Sequence, residues 1–173
     1  MTYLTHWARQ LSAGFFLVAA AVATVPDAAS AGTVDSKKFG AWTYEHFIGD
    51  IEWCGVSTNW PDQAMVLTIR LRRDALDFFF FNEDWNLTRG RRMGDTVFIF
   101  GSRRFGAATE TLDSNKAIFG TFSDRISDFV TRFMRARTMR IDFPTDQTIE
   151  VSLKGSSRAM NTALLCWERH LEN

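Results

Sequence analysis

Signatures of chemistry are scarce in this sequence. It has no Gly-x-Ser-x-Gly elbow, no Ser-x-x-Lys, no His-Glu-x-x-His and no Cys-x-x-Cys, so the common hydrolase patterns and a cysteine-based metal knuckle are missing. Net charge is missing as well. The 20 basic and 20 acidic residues cancel, which argues against nucleic acid as a partner, because that surface needs net positive charge. The same balance argues against a self-repelling, disordered chain. No low-complexity stretch, long Gly/Ser/Pro linker or internal repeat breaks the sequence, so one domain from about Phe39 to Trp167 is the economical organisation. The apolar run over residues 13–25 falls short of the roughly 20 residues that span a bilayer.

That run has a different reading. Arg9 precedes it, Pro26 and Asp27 break it, and Ala29-Ser30-Ala31 supplies the small-x-small pattern of a signal-peptidase site. The order reads as a secretory signal peptide over residues 1–31, followed by a flexible lead-in over 32–38 and a single exported domain over 39–173. An uncleaved anchor and a cut after Ala23 are the alternatives, and the absence of cysteine near the site excludes a lipoprotein anchor. The expected location is periplasmic or secreted, with no membrane span after cleavage.

Export bears on the two cysteines, Cys54 and Cys166. In an oxidising compartment an even count near the two ends of a domain reads as a disulfide. Closing so long a loop is worth about 4–5 kcal/mol in the chain-entropy model. Two separate buried thiols are the alternative.

With 46% apolar residues, 16 Phe and 6 Trp, the domain has ample material for a core. Strand patterns fill its first two thirds. Trp42 to Ile48 and Glu52 to Thr58 flank the Gly49-Asp50 turn as a hairpin. Ala64 to Arg72 alternates, with Met65, Leu67, Ile69 and Leu71 on one side, and pairs with Leu76 to Phe81. The four phenylalanines Phe78 to Phe81 suggest a strand buried on both faces. Thr96 to Phe100 and Ala107 to Leu112 continue the pattern, with turns at Gly94-Asp95 and Gly101. The period then switches: Ile126, Phe129, Val130, Phe133 and Met134 lie on one face of a helix starting at Ser123, with Asp128 and Arg132 as an i, i+4 pair. Thr138 to Phe143 and Thr148 to Leu153 form the clearest hairpin. Ser156 or Ser157 caps a last helix whose stripe is Met160, Ala163, Leu164 and Trp167. The expected fold is α+β: an antiparallel, twisted sheet or half-barrel with two helices, at about 124–136 and 156–170, packed on it.

The segment Val151 to Ala159, reading V-S-L-K-G-S-S-R-A and followed by Cys166, resembles the C-terminal signature of small exported alphaproteobacterial proteins. More distantly it is similar to the invasion-associated locus B family. Phe39-Gly40-Ala41-Trp42, Cys54 after a short hairpin, and Trp85-Asn86-Leu87 agree with it. Ser156 stands where that family usually has an aromatic residue, and its additional cysteines are absent here. The resemblance implies a periplasmic or secreted domain and carries over no catalytic residue.

Candidate functional residues remain. Arginine outnumbers lysine 16 to 4, and its guanidinium fork matches carboxylate and phosphate groups. Arg89, Arg91 and Arg92 in one loop and Arg103 and Arg104 in another, with Trp85 nearby, are the candidate ligand-binding residues for an anionic envelope or extracellular partner. Solvated faces paired with acids are the ordinary alternative. Asp50, Glu52, Glu83 and Asp84, with Trp60 or Trp85, would serve a small envelope glycan hydrolase if two of the carboxylates faced one another across a cleft. A contiguous apolar patch would instead mark an inhibitor or assembly factor for another exported protein. His46 and His170 read as surface histidines, so no metal or cofactor is expected. The leading reading is a non-catalytic binding or structural domain stapled by Cys54–Cys166.

Overall fold

Period-two alternation gathers most of the chain into one sheet. A computed structural model describes residues 32–72, 74–112 and 116–170; the expected signal peptide over residues 1–31 lies outside them. Among the described residues the strands are β1 (Gly32–Phe39), β2 (Trp42–Ile48), β3 (Trp53–Trp60), β4 (Met65–Leu71), β5 (Leu76–Asn82), β6 (Arg92–Phe100), β7 (Arg103–Thr111), β8 (Ala117–Phe122), β9 (Thr138–Asp142) and β10 (Thr148–Ser152). They form a single antiparallel sheet in the order β1-β2-β3-β4-β5-β8-β7-β6-β9-β10. Helices α1 (Ile126–Arg135) and α2 (Ser156–His170) accompany it. The expected α+β architecture is present as an open sheet, with β1 and β10 at its edges.

The expected hairpins appear in register: His46 opposes Cys54 in β2–β3, Ile69 opposes Phe78 in β4–β5, and Ile141 opposes Ile149 in β9–β10. Three local expectations are corrected. Residues 32–38 are not a lead-in but most of β1, paired along its length with β2. Its residues are mostly polar and exposed, so no alternation announced it; the ladder is held by backbone groups, and Lys37 and Lys38 mark an edge strand. Gly94 does not end a strand but sits inside β6 at φ +117°, where the register with β7 slips, as a bulge requires. Helix α1 begins at Ile126 behind a left-handed Arg125, three residues after Ser123. Its Asp128 accepts hydrogen bonds from Arg125 (3.2 Å) and Arg132 (3.4 Å).

The two edges of the open sheet meet at one end without a ladder. Trp42, buried on β2, donates its indole N–H to the carbonyl of Ser152 at the end of β10 (3.0 Å). Beside it Gly155, at φ +97°, presses its backbone on the carbonyl of Phe39, leaving no room for a Cβ. Ser156, fully buried, donates its hydroxyl to the carbonyl of Phe133 (2.9 Å) and so ties the start of α2 to α1. Here the Phe39-to-Trp42 and Ser152-to-Ser156 motifs, far apart in sequence, form one latch.

The inner face carries Met65, Leu67, Ile69, Phe78, Phe80, Phe98, Met139 and Ile141, all fully buried. Phe129 of α1 enters this face, its ring 4.9–5.5 Å from those of Phe98, Phe100, Phe105 and Phe122. Burying such a side chain stabilises by about 2–3 kcal/mol, and each edge-to-face pair adds about 0.5–1.5 kcal/mol. The four-phenylalanine run is buried on one face only. Phe78 and Phe80 point inward, whereas Phe81 is 39% exposed. Phe79, on the outer face, is half-covered by Phe119 (4.9 Å) and by the Arg70 guanidinium (4.0 Å), which also lies over Trp53 (4.5 Å). A cationic and aromatic layer, not a second packed face, covers this side of the run.

Candidate functional site

The long connection from β5 to β6 holds Trp85, Arg89 and Arg91, and its conformation is fixed by polar residues at both ends. Asn82 donates its amide to the carbonyl of Gln63 (3.1 Å) and accepts the N–H of Asp84 (2.8 Å), an Asx turn closing β5. Trp85 packs edge-on against Phe143 (5.7 Å) and donates its indole N–H to Gln147 (3.3 Å). Thr111 at the end of β7 accepts the N–H of Arg91 (2.8 Å), donates its hydroxyl to the carbonyl of Thr88, and gives its own N–H to the carbonyl of Arg91 (3.0 Å).

This knitted loop leaves an open groove of about 360 Å³ lined by Asn86, Leu87, Thr88, Arg91, Arg92 and Pro144, among others. Arg89, Arg91 and Arg92 are all exposed. Among the described residues no carboxylate lies within ion-pairing distance of their guanidinium groups. Arg72, Arg104, Arg125, Arg132 and Arg140, in contrast, all pair with an aspartate.

The two arginine groups do not share a surface. Arg92 opposes Glu110 at one end of the β6–β7 hairpin, while Arg103 opposes Phe100 at the other. Eight steps of strand put them ~27 Å apart. Arg104 is engaged by Asp142 at 3.8 Å. The hydrogen bond from Arg125, and then that from Arg132, hold the Asp128 carboxyl below its usual range, with the positive charge of Arg103 a smaller contribution. Trp85 stands beside the Arg91 group, although as a loop anchor rather than as a bare platform.

The four turn carboxylates are also divided. Asp50 and Glu52 lie at the Trp53 end of β3, and Glu83 and Asp84 follow β5 at the Trp60 end. The length of β3, ~23 Å, separates the pairs. Trp60 and Trp85 are both partly buried against the core. None of the four carboxylates lines the groove at Arg91 or the more apolar one, of about 480 Å³, between Leu71, Val130, Met134, Leu164 and Trp167.

A second cluster was hidden from sequence reasoning. His46 is 6% exposed, not a surface residue: it continues the inner-face series Trp42, Tyr44, His46 on β2. Cys54 opposes it across the β2–β3 ladder and is joined to Cys166 of α2, with Cα atoms 6.0 Å apart. One helical turn beyond Cys166 stands His170, on the same helix face. The disulfide therefore brings His170 over His46, with ring centroids 4.5 Å apart. Glu52 accepts a hydrogen bond from His46 Nε2 at 2.8 Å, and the same oxygen is 3.8 Å from His170 Nδ1. Two signals could have located this group: the hairpin register about Gly49-Asp50, and the four-residue spacing from Cys166 to His170.

Among the described residues no helix is long and apolar enough to cross a membrane. No protein-family model and no curated protein matches the chain. Among solved structures it is similar to invasion associated protein B from Bartonella henselae, with 12% sequence identity and a TM-score of 0.55, over 78% of this chain and 98% of that one. At that identity the likeness is one of fold alone.

Proposed function

We propose that the chain is an exported, non-catalytic binding domain, stapled by Cys54–Cys166, whose ligand surface is the groove at Arg91 and Arg92. The observation that carries this reading is the groove itself: Arg91 and Arg92, both exposed and without a carboxylate at ion-pairing distance among the described residues, line it beside a loop fixed by Thr111. A guanidinium held on a fixed loop beside a groove is a ready partner for carboxylate or phosphate groups. Export is supported by the N-terminal pattern, the disulfide and the fold shared with an invasion associated protein. Arg103 and Arg104, at the far end of the hairpin, would touch only a partner long enough to follow the strands.

The test uses the disulfide-bonded protein, phosphatidylglycerol vesicles and envelope fractions. A charge-assisted hydrogen bond is worth about 1.5–3 kcal/mol. Arg91→Ala combined with Arg92→Ala should therefore weaken binding by roughly a hundredfold at low salt. Since both side chains are exposed, the melting temperature should not change. Binding that is unaltered by the double substitution would remove this groove as the ligand surface.

A further inference from the structure

We propose that His46, Glu52 and His170 form a binding site for a divalent transition-metal ion, best matched by zinc, in the disulfide-bonded protein. One donor atom from each residue lies within 4.8 Å of the other two. The separations that involve Glu52 Oε1 are 2.8 Å to His46 Nε2 and 3.8 Å to His170 Nδ1. A tetrahedral zinc ion with bonds of about 2.0–2.1 Å holds its donors about 3.3–3.4 Å apart. The two separations from Glu52 bracket that value and the imidazole nitrogens lie within 4.8 Å of one another, so small adjustments of the side-chain ends would close the site.

Donor chemistry narrows the ion. Two imidazoles and one carboxylate suit zinc, copper or nickel, whereas magnesium and calcium favour sets built from oxygen. Three protein ligands leave a fourth position to water, the arrangement of zinc sites that keep an open coordination place. Exposure rises along the cluster, from 7% for the His46 side chain to 33% for Glu52 and 45% for His170. An ion could thus enter from the solvent side and meet a buried imidazole at the bottom. Among the described residues Glu52 is paired with these two histidines and with no Lys or Arg.

The supports are rigid. His46 lies within a ladder strand, Glu52 in the turn that ends at β3, and His170 on a helix pinned four residues earlier by Cys166. The sulfurs of Cys54 and Cys166 lie within 4.8 Å of a ring nitrogen of His46. Joined to each other they lack the thiolate charge that binds metals. The oxidised protein accordingly offers two nitrogens and an oxygen, and the disulfide must be kept intact when the site is tested.

The experiment is calorimetric titration of the disulfide-bonded protein with zinc chloride, repeated by visible absorption with cobalt chloride. One equivalent of each ion is expected to bind, with His170→Ala and Glu52→Gln each weakening zinc by roughly tenfold or more. Both variants alter partly exposed side chains, so their metal-free melting temperatures should match that of the unaltered chain. Zinc should raise the melting temperature of the unaltered protein by more than that of His170→Ala at the same concentration. No binding up to about 100 µM free zinc, far weaker than a built zinc site, would overturn the proposal. Equal binding by the unaltered protein and both variants would overturn it as well.

Discussion

Replacing Cys54 and Cys166 together with alanine removes the covalent link while keeping the small apolar volume that both positions contain. The cysteines are 112 residues apart. For a loop of that length the chain-entropy model gives about 4.8 kcal/mol at 25 °C. Domains of ordinary stability have only about 5–15 kcal/mol in all, so the link accounts for a large share. At about 3–4 °C per kcal/mol for a domain of this size, the midpoint should fall by roughly 15 °C. Thermal and urea unfolding of three samples decides the matter: oxidised protein, the same protein reduced with dithiothreitol, and the double variant. The last two should unfold within a few degrees of one another, and both should show a steeper urea dependence, because an unlinked chain exposes more surface. A loss below about 1 kcal/mol would show that the link does not act through the unfolded chain. A variant far less stable than the reduced protein would locate the effect in packing around Cys54, which is fully buried, instead of in chain entropy.

Two further outcomes test the latch and the first hairpin. Gly155→Ala forces a Cβ onto the Phe39 carbonyl at a backbone φ of +97°, and should cost at least about 2 kcal/mol in urea unfolding; a loss under half of that would mean the two edges separate freely. Burial of Tyr44, and then the negative charge of Asp35 close by, hold its pKa above the usual value of 10.0 despite the opposing pull of Arg169. Folding therefore favours the neutral phenol, and stability should be intact below pH about 10 and decline as pH rises through the raised pKa. Asp35→Asn should bring the Tyr44 midpoint down in ultraviolet titration, and an unmoved or higher midpoint would refute the assigned cause.

Much of the sheet was legible because alternation and burial coincide. Met65, Leu67, Ile69 and Leu71 declare an inner face, and so do Met139, Ile141, Ile149 and Val151. Adjacent hairpins follow from turn length. The insertion of β8 next to β5, with β7 and β6 beyond it, does not, since non-local pairing leaves no mark on local period. β1 was missed for the opposite reason: an edge strand of polar residues satisfies its backbone without displaying an apolar face. The phenylalanine run misled because a guanidinium between two rings can cover an aromatic as a helix does.

The functional residues divide in the same way. The Arg91 group was visible as composition, and the structure adds its groove and its lack of acidic partners among the described residues. Its separation from Arg103 and Arg104 needed the pairing of β6 with β7. His46 and His170 are 124 positions apart in sequence and meet only because a ladder pair and a disulfide are stacked one on the other.

The disulfide also dictates how the protein must be made. With only Cys54 and Cys166 available, there is a single intramolecular pairing and nothing for an isomerase to correct. Their 6.0 Å Cα approach joins β3 to α2, so docking of α2 on the sheet holds the two sulfurs together and favours the bond. In the unfolded chain the same two thiols can still meet, since the entropy of closing a loop grows only slowly with its length, and the bond they form is already the native one. Covalent dimers arise only where contact between molecules outruns that closure, so early oxidation of a dilute chain leaves no wrong pairing to undo.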